Sequence, residues 1–327
     1  MGFRRGHARV TFNPMRPRIA ALLALAIPAL VAADRPDAQQ GEASRIRISS
    51  EIVLVNASVV DSHGRAIAGL AKSNFRLFEN HAEKKISWFS EDQTPVSLVV
   101  VFDTSGSMAG KLTHCAEAVA ELLRSAQNGD EFALFTFSNR VELAQPWTRD
   151  DAAISGALLN ARAHGTTALL DAVDTAGHYA AQGSNPRRIM FVLTDGGDNA
   201  SRFRENQVRR RLEEMNVELY AVDIRESDVP MSWPGVLEGP QLLDRLCDDL
   251  SGRYVPVERM GDLADAVERV RREIRSQYVL GYRPEPLVRD GRFHLLQVKV
   301  TPPPGIHRVS VRWRRGWREP RGQGAVD

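Results

Sequence analysis

A chain of 327 residues can bury a large core and exceeds one average domain, so two folding units and a tail are expected. Lys plus Arg total 43 against 41 Asp plus Glu, a net charge of +2 that argues for neither nucleic acid nor an acidic polymer as an obligate partner. No internal repeat, Gly-rich phosphate loop, Cys/His metal cluster or dinucleotide motif is visible, which removes the function classes that depend on them.

The first segment is basic, with Arg4, Arg5, Arg9, Arg16 and Arg18, and runs into an unbroken apolar stretch from Ile19 to Ala33, then into polar Asp34 to Gln40. That order reads as a secretory signal over 1–33 with cleavage expected after Ala33, the small-residue end of the stretch. The apolar run is about 15 residues, short of the ~20 a spanning helix needs; an uncleaved anchor is the alternative and the only membrane attachment expected. Met15, just ahead of Arg16, offers a second start that would give a more compact signal. Export places Cys115 and Cys247 where a disulfide could form, but both fall in helical patterns, and two buried or free thiols are the first reading.

A flexible leader is expected over 34–45 and a small β-rich unit over 46–95. Its strands are expected at 46–60, 75–79 and 86–90, with a turn at Asp61-Ser62-His63-Gly64. From Val96 the pattern changes to apolar runs alternating with helical periods. Strands are expected at 96–103, 131–138, 188–194, 217–224 and 253–257, and helices at 111–127, 150–162, 168–181, 204–215, 240–250 and 262–277. A strand over 141–147 should pair with 131–138 through Ser138-Asn139-Arg140. Strands alternating with helices predict an α/β fold, a doubly wound and mostly parallel sheet, spanning 96–277. A C-terminal β-segment over 278–318, with strands at 278–282, 293–301 and 308–315, should complete the small N-terminal β-unit or pack beside it, leaving a tail at 319–327. Arg308, Arg312, Arg314, Arg315, Arg318 and Arg321 crowd that end against Glu319; a solvated strand edge or tail is the first reading and an anionic-surface patch the second.

Two strand ends and a loop between them carry oxygen donors, and strand ends are where open α/β sheets bind ligands. The strand at 96–103 ends in Asp103 and is followed by Ser105 and Ser107; that at 188–194 runs into Asp195-Gly196-Gly197; between them His164-Gly165-Thr166-Thr167 opens a helix. One carboxylate and two hydroxyls on a tight turn make a partial shell for a hard divalent cation, which prefers oxygen ligands and keeps several waters. Each piece also has a purely local use: Asp103 to Ser107 as a turn that caps a helix, Thr167 as an N-cap, Asp195 as a turn residue. Asp198 and Asn199 read as solvated loop residues, Asp171 and Asp174 as surface charges of a helix, and His114, His164 and His178 as surface or helix residues.

In this order, Asp-x-Ser-x-Ser, Gly-x-Thr and a strand-ending Thr-Asp-Gly resemble the von Willebrand factor A domain, a Rossmann-like fold shared with integrin I domains and many bacterial surface proteins. The resemblance covers about residues 96 to 277. It implies that Asp103, Ser105, Ser107, Thr167 and Asp195 form a metal-ion-dependent adhesion site for Mg²⁺ or Mn²⁺. In the family the serines and threonine ligate directly or through water, the aspartates mainly through water, and a Glu or Asp carboxylate of a protein partner takes the open position. Thr167 matches the middle position best, five residues before Ala172; the Gly-Thr-Thr spelling leaves Thr166 open. Short words in the flanks, Val59-Val60-Asp61 through Gly64, Gly69-Leu70, Asn74-Phe75, Phe78-Glu79 and Gly281-Tyr282, resemble a bacterial group with a short β-region before the domain.

Catalytic readings fare worse. Asp103-Thr104-Ser105-Gly106 is broken relative to the Asp-Thr-Gly of aspartic proteases and has no second copy, and the segment lacks the flanking glycines of a Gly-x-Ser-x-Gly elbow. An aspartyl phosphatase needs a second acid where Ser105 stands. The expectation is therefore a non-enzymatic, exported module, periplasmic, secreted or envelope-associated, that binds an acidic group on a protein; a metal-stabilised envelope scaffold is the alternative.

Overall fold

In the computed structural model, residues 52–318 are described except 63–64, 92–93, 214, 226–237, 285–291, 304 and 307. The signal, the leader, the alternative start at Met15 and the tail lie outside the described residues.

The α/β lobe begins with β5 (Val96–Asp103), since four earlier strands, β1 (Val53–Asp61), β2 (Phe75–Glu79), β3 (Ala82–Lys84) and β4 (Trp88–Glu91), belong to a separate β-lobe. It continues through α1 (Leu112–Leu123), β6 (Glu131–Phe137), β7 (Val141–Thr148), α2 (Asp151–Leu159), α3 (Leu169–Ala180), β8 (Arg187–Thr194) and α4 (Glu205–Glu213). It ends with β9 (Glu218–Ile224), α5 (Glu238–Asp249), β10 (Arg253–Val257) and α6 (Leu263–Arg275). The strand order is β10-β9-β8-β5-β6-β7, parallel throughout except for β7 at one edge, so the sheet is doubly wound about β5. All eight residues of β5 are buried because helices cover both faces. Leu98, Val100 and Phe102 pack with α1, α2 and α6, whereas Val99 and Val101 pack with α3, α4 and α5. Cys115 and Cys247 are buried thiols in these two opposite layers, with no disulfide between them.

The β-lobe draws on both flanks of the chain. After α6 come β11 (Gln277–Tyr282), β12 (Phe293–Val300), β13 (Val309–Trp313) and β14 (Gly316–Arg318). They join the early strands in two four-stranded sheets, β13-β1-β11-β4 and β14-β12-β2-β3. Val55, Ala57, Phe75, Leu77, Tyr278, Tyr282, Leu296 and Trp317 form their shared core. The strand expected over 86–90 is β4, over 88–91, and an additional short strand, β3, precedes it in the other sheet, with buried Ile86 between them. The β2–β3 hairpin turns at Asn80 and His81, both with positive φ (47° and 69°), as a tight two-residue turn requires. The helix expected to run to 277 stops at Arg275 because Gln277 already pairs with Ser58.

The β-lobe meets the α/β lobe at the amino ends of the parallel strands through a buried polar network. Arg187 lies 3.4 Å from Glu218 and donates to the Ile274 carbonyl at 2.8 Å; Gln277 and Asn56 each donate to Glu218 at 2.8 Å. Glu273, 1% exposed, faces Arg253 at 2.8 Å and Arg312 at 3.1 Å and accepts from Ser58. Arg275 donates to Asp130 at 2.5 Å. The expected solvated basic edge is thus corrected for part of its length: Arg312 pairs with Glu273, Arg314 donates to Asn216, and Arg315 pairs with Asp249. Among the described residues no helix is long and apolar enough to cross a membrane.

Candidate functional site

The opposite, carboxyl end of the sheet gathers the oxygen donors. Because β5 and β8 are neighbours in register, with Phe102 beside Leu193, Asp103 emerges next to Thr194 and the Asp195 turn. Thr194 Oγ1 donates to Asp103 Oδ2 at 2.5 Å, and the Ser105 backbone N–H donates to Asp103 Oδ1 at 2.7 Å. Ser105 Oγ and Ser107 Oγ lie 3.1 Å apart in a hydrogen bond, and Ser107 Oγ donates to Asp195 Oδ1 at 2.7 Å. Asp195 Oδ2 accepts from Lys111 Nζ at 2.5 Å.

The middle loop is drawn in by backbone contacts. Gly106 N donates to the Gly165 carbonyl at 3.1 Å, and His164 N to that of Thr104 at 2.8 Å. Gly165 has φ +75°, and a Cβ on Gly106 would stand 3.2 Å from the Gly165 oxygen, so both positions favour glycine. Thr167 is 4% exposed, and its Oγ1 lies 3.9 Å from where a Cβ on Gly196 would be; Thr166 faces solvent. Asp103, Ser105, Thr167 and Asp195 therefore stand on three adjoining loops, with Ser107 at the exposed rim.

Electrostatically the site is short of positive charge. Burial pushes the Asp103 carboxyl up to about 6, against the pull of the Thr194 and Ser105 hydrogen bonds and helped by the neighbouring Asp195 charge. Among the described residues no lysine or arginine forms an ion pair with Asp103; Lys111 pairs with Asp195 alone. Asp223, at the end of β9, is answered locally by Arg225 at 3.2 Å and by the Tyr254 hydroxyl at 2.5 Å.

The sequence model of the von Willebrand factor type A domain family matches residues 98–197. That segment is a von Willebrand factor type A domain. Solved structures similar to the chain include a von Willebrand factor type A protein from Catenulispora acidiphila, at 14% identity over 83% of this chain and 75% of that one, TM-score 0.49. BatB from Bacteroides thetaiotaomicron matches at 16% identity over 55% of this chain and 100% of its own, TM-score 0.44. Proximal thread matrix protein 1 from the mussel byssus matches at 19% identity over 57% of this chain and 49% of its own, TM-score 0.48, so the match spans about half of that protein. No curated protein matches in sequence.

The A domain's donor set is two carboxylates and three hydroxyls; among the described residues no three His, Cys, Asp or Glu side chains cluster around one point. A set of oxygens alone, with few anions, suits Mg²⁺ or Mn²⁺ rather than a thiolate- or imidazole-seeking metal. Such a cation would be held by Asp103, Ser105, Ser107, Thr167 and Asp195.

Several residues differ from expectation. Asn199 is not only a loop residue: its Oδ1 accepts from Thr167 N at 2.8 Å, while Asn199 N and Ala200 N donate to the Thr167 carbonyl. Asp198 accepts from Leu170 N and from the Ser201 hydroxyl. Asp171 and Asp174 are buried, not surface charges. Asp171 accepts from Arg202 N and Phe203 N and pairs with Arg202 Nε at 2.9 Å; Asp174 lies 3.2 Å from Arg211. Asp171 braces α3 against the loop that follows Asp195, and Asp174 faces α4. Thr194 belongs to the strand-ending Thr-Asp-Gly word, but its bond to Asp103, like that of Lys111 to Asp195, becomes visible only when β5 and β8 are set side by side.

Proposed function

We propose that the A domain binds Mg²⁺ or Mn²⁺ through Asp103, Ser105, Ser107, Thr167 and Asp195 and uses it to recognise a carboxylate on a protein partner. The observation that carries this is Asp103, a carboxylate at 0% exposure with no ion-pair partner among the described residues, beside a second carboxylate and a cluster of hydroxyls. An uncompensated buried carboxylate is costly, and a divalent cation answers it. When bound, the metal supplies a Lewis-acidic position for an external oxygen. Asp103 and Asp195 would offset part of its charge, the three hydroxyls would add neutral donors, and Thr194 and the Ser105 N–H hold the Asp103 carboxylate. A cation held largely by neutral donors keeps an appetite for one more anion.

The reading is of a non-catalytic module: Ser105 and Ser107 bond each other and Asp195 rather than an imidazole, while His164 shares its hydrogen bond with Ser138. The basic-then-apolar N-terminus supports action outside the cytoplasm, in the envelope or beyond it. Water-proton relaxation of the Mn²⁺-loaded protein tests recognition directly. A Glu-containing peptide should displace a metal-bound water and lower the relaxivity, while EDTA leaves the domain folded. Relaxivity indifferent to the peptide, with a melting temperature that collapses in EDTA, would instead identify a metal-stabilised scaffold.

A further inference from the structure

Lys111 is placed against local physics. It stands at the amino end of α1, where the helix dipole disfavours a cation, and no side chain caps that end. Its backbone is fixed by Lys111 N donating to Met108 O at 2.9 Å and by Cys115 N donating to its own carbonyl at 3.0 Å. Its side chain is only 18% exposed, and Nζ reaches Asp195 Oδ2 at 2.5 Å, on a carboxylate whose other oxygen takes the Ser107 hydroxyl. The ammonium thus engages the charge that a divalent cation would need.

We propose that Lys111 is a tethered counter-ion of the site: its ammonium neutralises Asp195, a divalent cation binds by displacing it, and the displaced ammonium turns to the rim where a partner's carboxylate arrives. This rests on the metal-binding reading above. An ammonium and a divalent cation on one buried carboxylate repel each other at short range, where water screens little. The two arrangements exclude one another. Lys111 therefore sets the affinity for metal and couples it to the arrival of an anion.

The full chain, as wild type, Lys111→Met and Lys111→Gln, is titrated calorimetrically with Mg²⁺ and Mn²⁺. In parallel, acetylation of Lys111 in the wild type is followed by mass spectrometry with and without saturating Mn²⁺. Both variants should bind about tenfold more tightly, equivalent to ~1.4 kcal/mol, and Lys111 of the wild type should become more reactive as metal fills the site. Equal or weaker affinity in variants that fold, with the wild type binding normally, overturns the counter-ion role and leaves the metal reading standing. Unchanged Lys111 reactivity at saturating metal does the same and needs no variant to fold. Absence of binding in all three proteins overturns both.

Discussion

At the amino ends of the central strands, Asp130, Glu218 and Glu273 are buried and each meets an arginine, Arg275, Arg187, and Arg253 with Arg312 respectively. Glu131, at the same end, is met by hydroxyls and an N–H: burial raises its pKa, but bonds from Ser97 and Ser184 outweigh that and hold it below the ordinary range. At the carboxyl ends Asp195 and Asp223 meet Lys111 and Arg225, but Asp103 is buried among hydrogen-bond donors with the Asp195 charge nearby, and burial carries it the other way. The first end joins the β-lobe to the α/β lobe; the second opens toward solvent at Ser107. Compensation of Asp130, Glu218 and Glu273 and its lack at Asp103 separate carboxylates that hold the fold from one that, among the described residues, no cation answers.

The sharpest way to break this contrast is to remove charge at each end in turn. Arg187→Met strips Glu218 of its cation in a closed interface and should cost ~3–5 kcal/mol in urea unfolding, with metal titration unchanged. Asp103→Asn should act with the opposite sign, raising the stability of EDTA-treated protein by ~1–3 kcal/mol at neutral pH while abolishing metal binding.

The pH dependence follows from the same group. Asp103 in the native state holds its proton up to about pH 6, whereas an unfolded aspartate releases it near 4, so the folded protein binds the extra proton between those values. Stability in EDTA should fall as pH rises through this window, by on the order of 3 kcal/mol from this group, and Asp103→Asn should flatten that component of the profile. A profile identical in the two proteins would remove Asp103 as the uncompensated charge.

Smaller effects sharpen the boundary of the site. Asp171→Ala leaves Arg202 N and Phe203 N without their acceptor and should cost ~1–2 kcal/mol, whereas Arg202→Ala, losing an 81%-exposed guanidinium, should cost under ~1 kcal/mol. Urea midpoints for the pair would show whether the carboxylate serves the loop backbone or the surface ion pair.

Legibility followed the range of the signal. Buried parallel strands are continuous apolar runs, so the sequence places β8 within a residue and β5 and β10 at their observed limits, 96–103 and 253–257. The strand-ending Asp103 and Asp195 and the hydroxyls between them were visible because strand ends converge in this fold. What could not be read was pairing across long separations: Asn56 reaches Glu218 over 162 residues, and Lys111 reaches Asp195 over 84. Asp171 and Asp174 read as surface charges because their α3 face is polar in sequence, whereas the loop after β8 and α4 pack against it. The β2–β3 hairpin was missed because Asn80-His81 lacks the glycine that usually marks such a turn, although asparagine tolerates the left-handed region.

The central claim is tested most directly by isothermal titration of the full-length wild type and of Asp103→Ala with Mg²⁺ and Mn²⁺. The account predicts saturable binding at one site per chain in the wild type and none in the variant. Binding of equal strength in both, or in neither while both are folded, would contradict it.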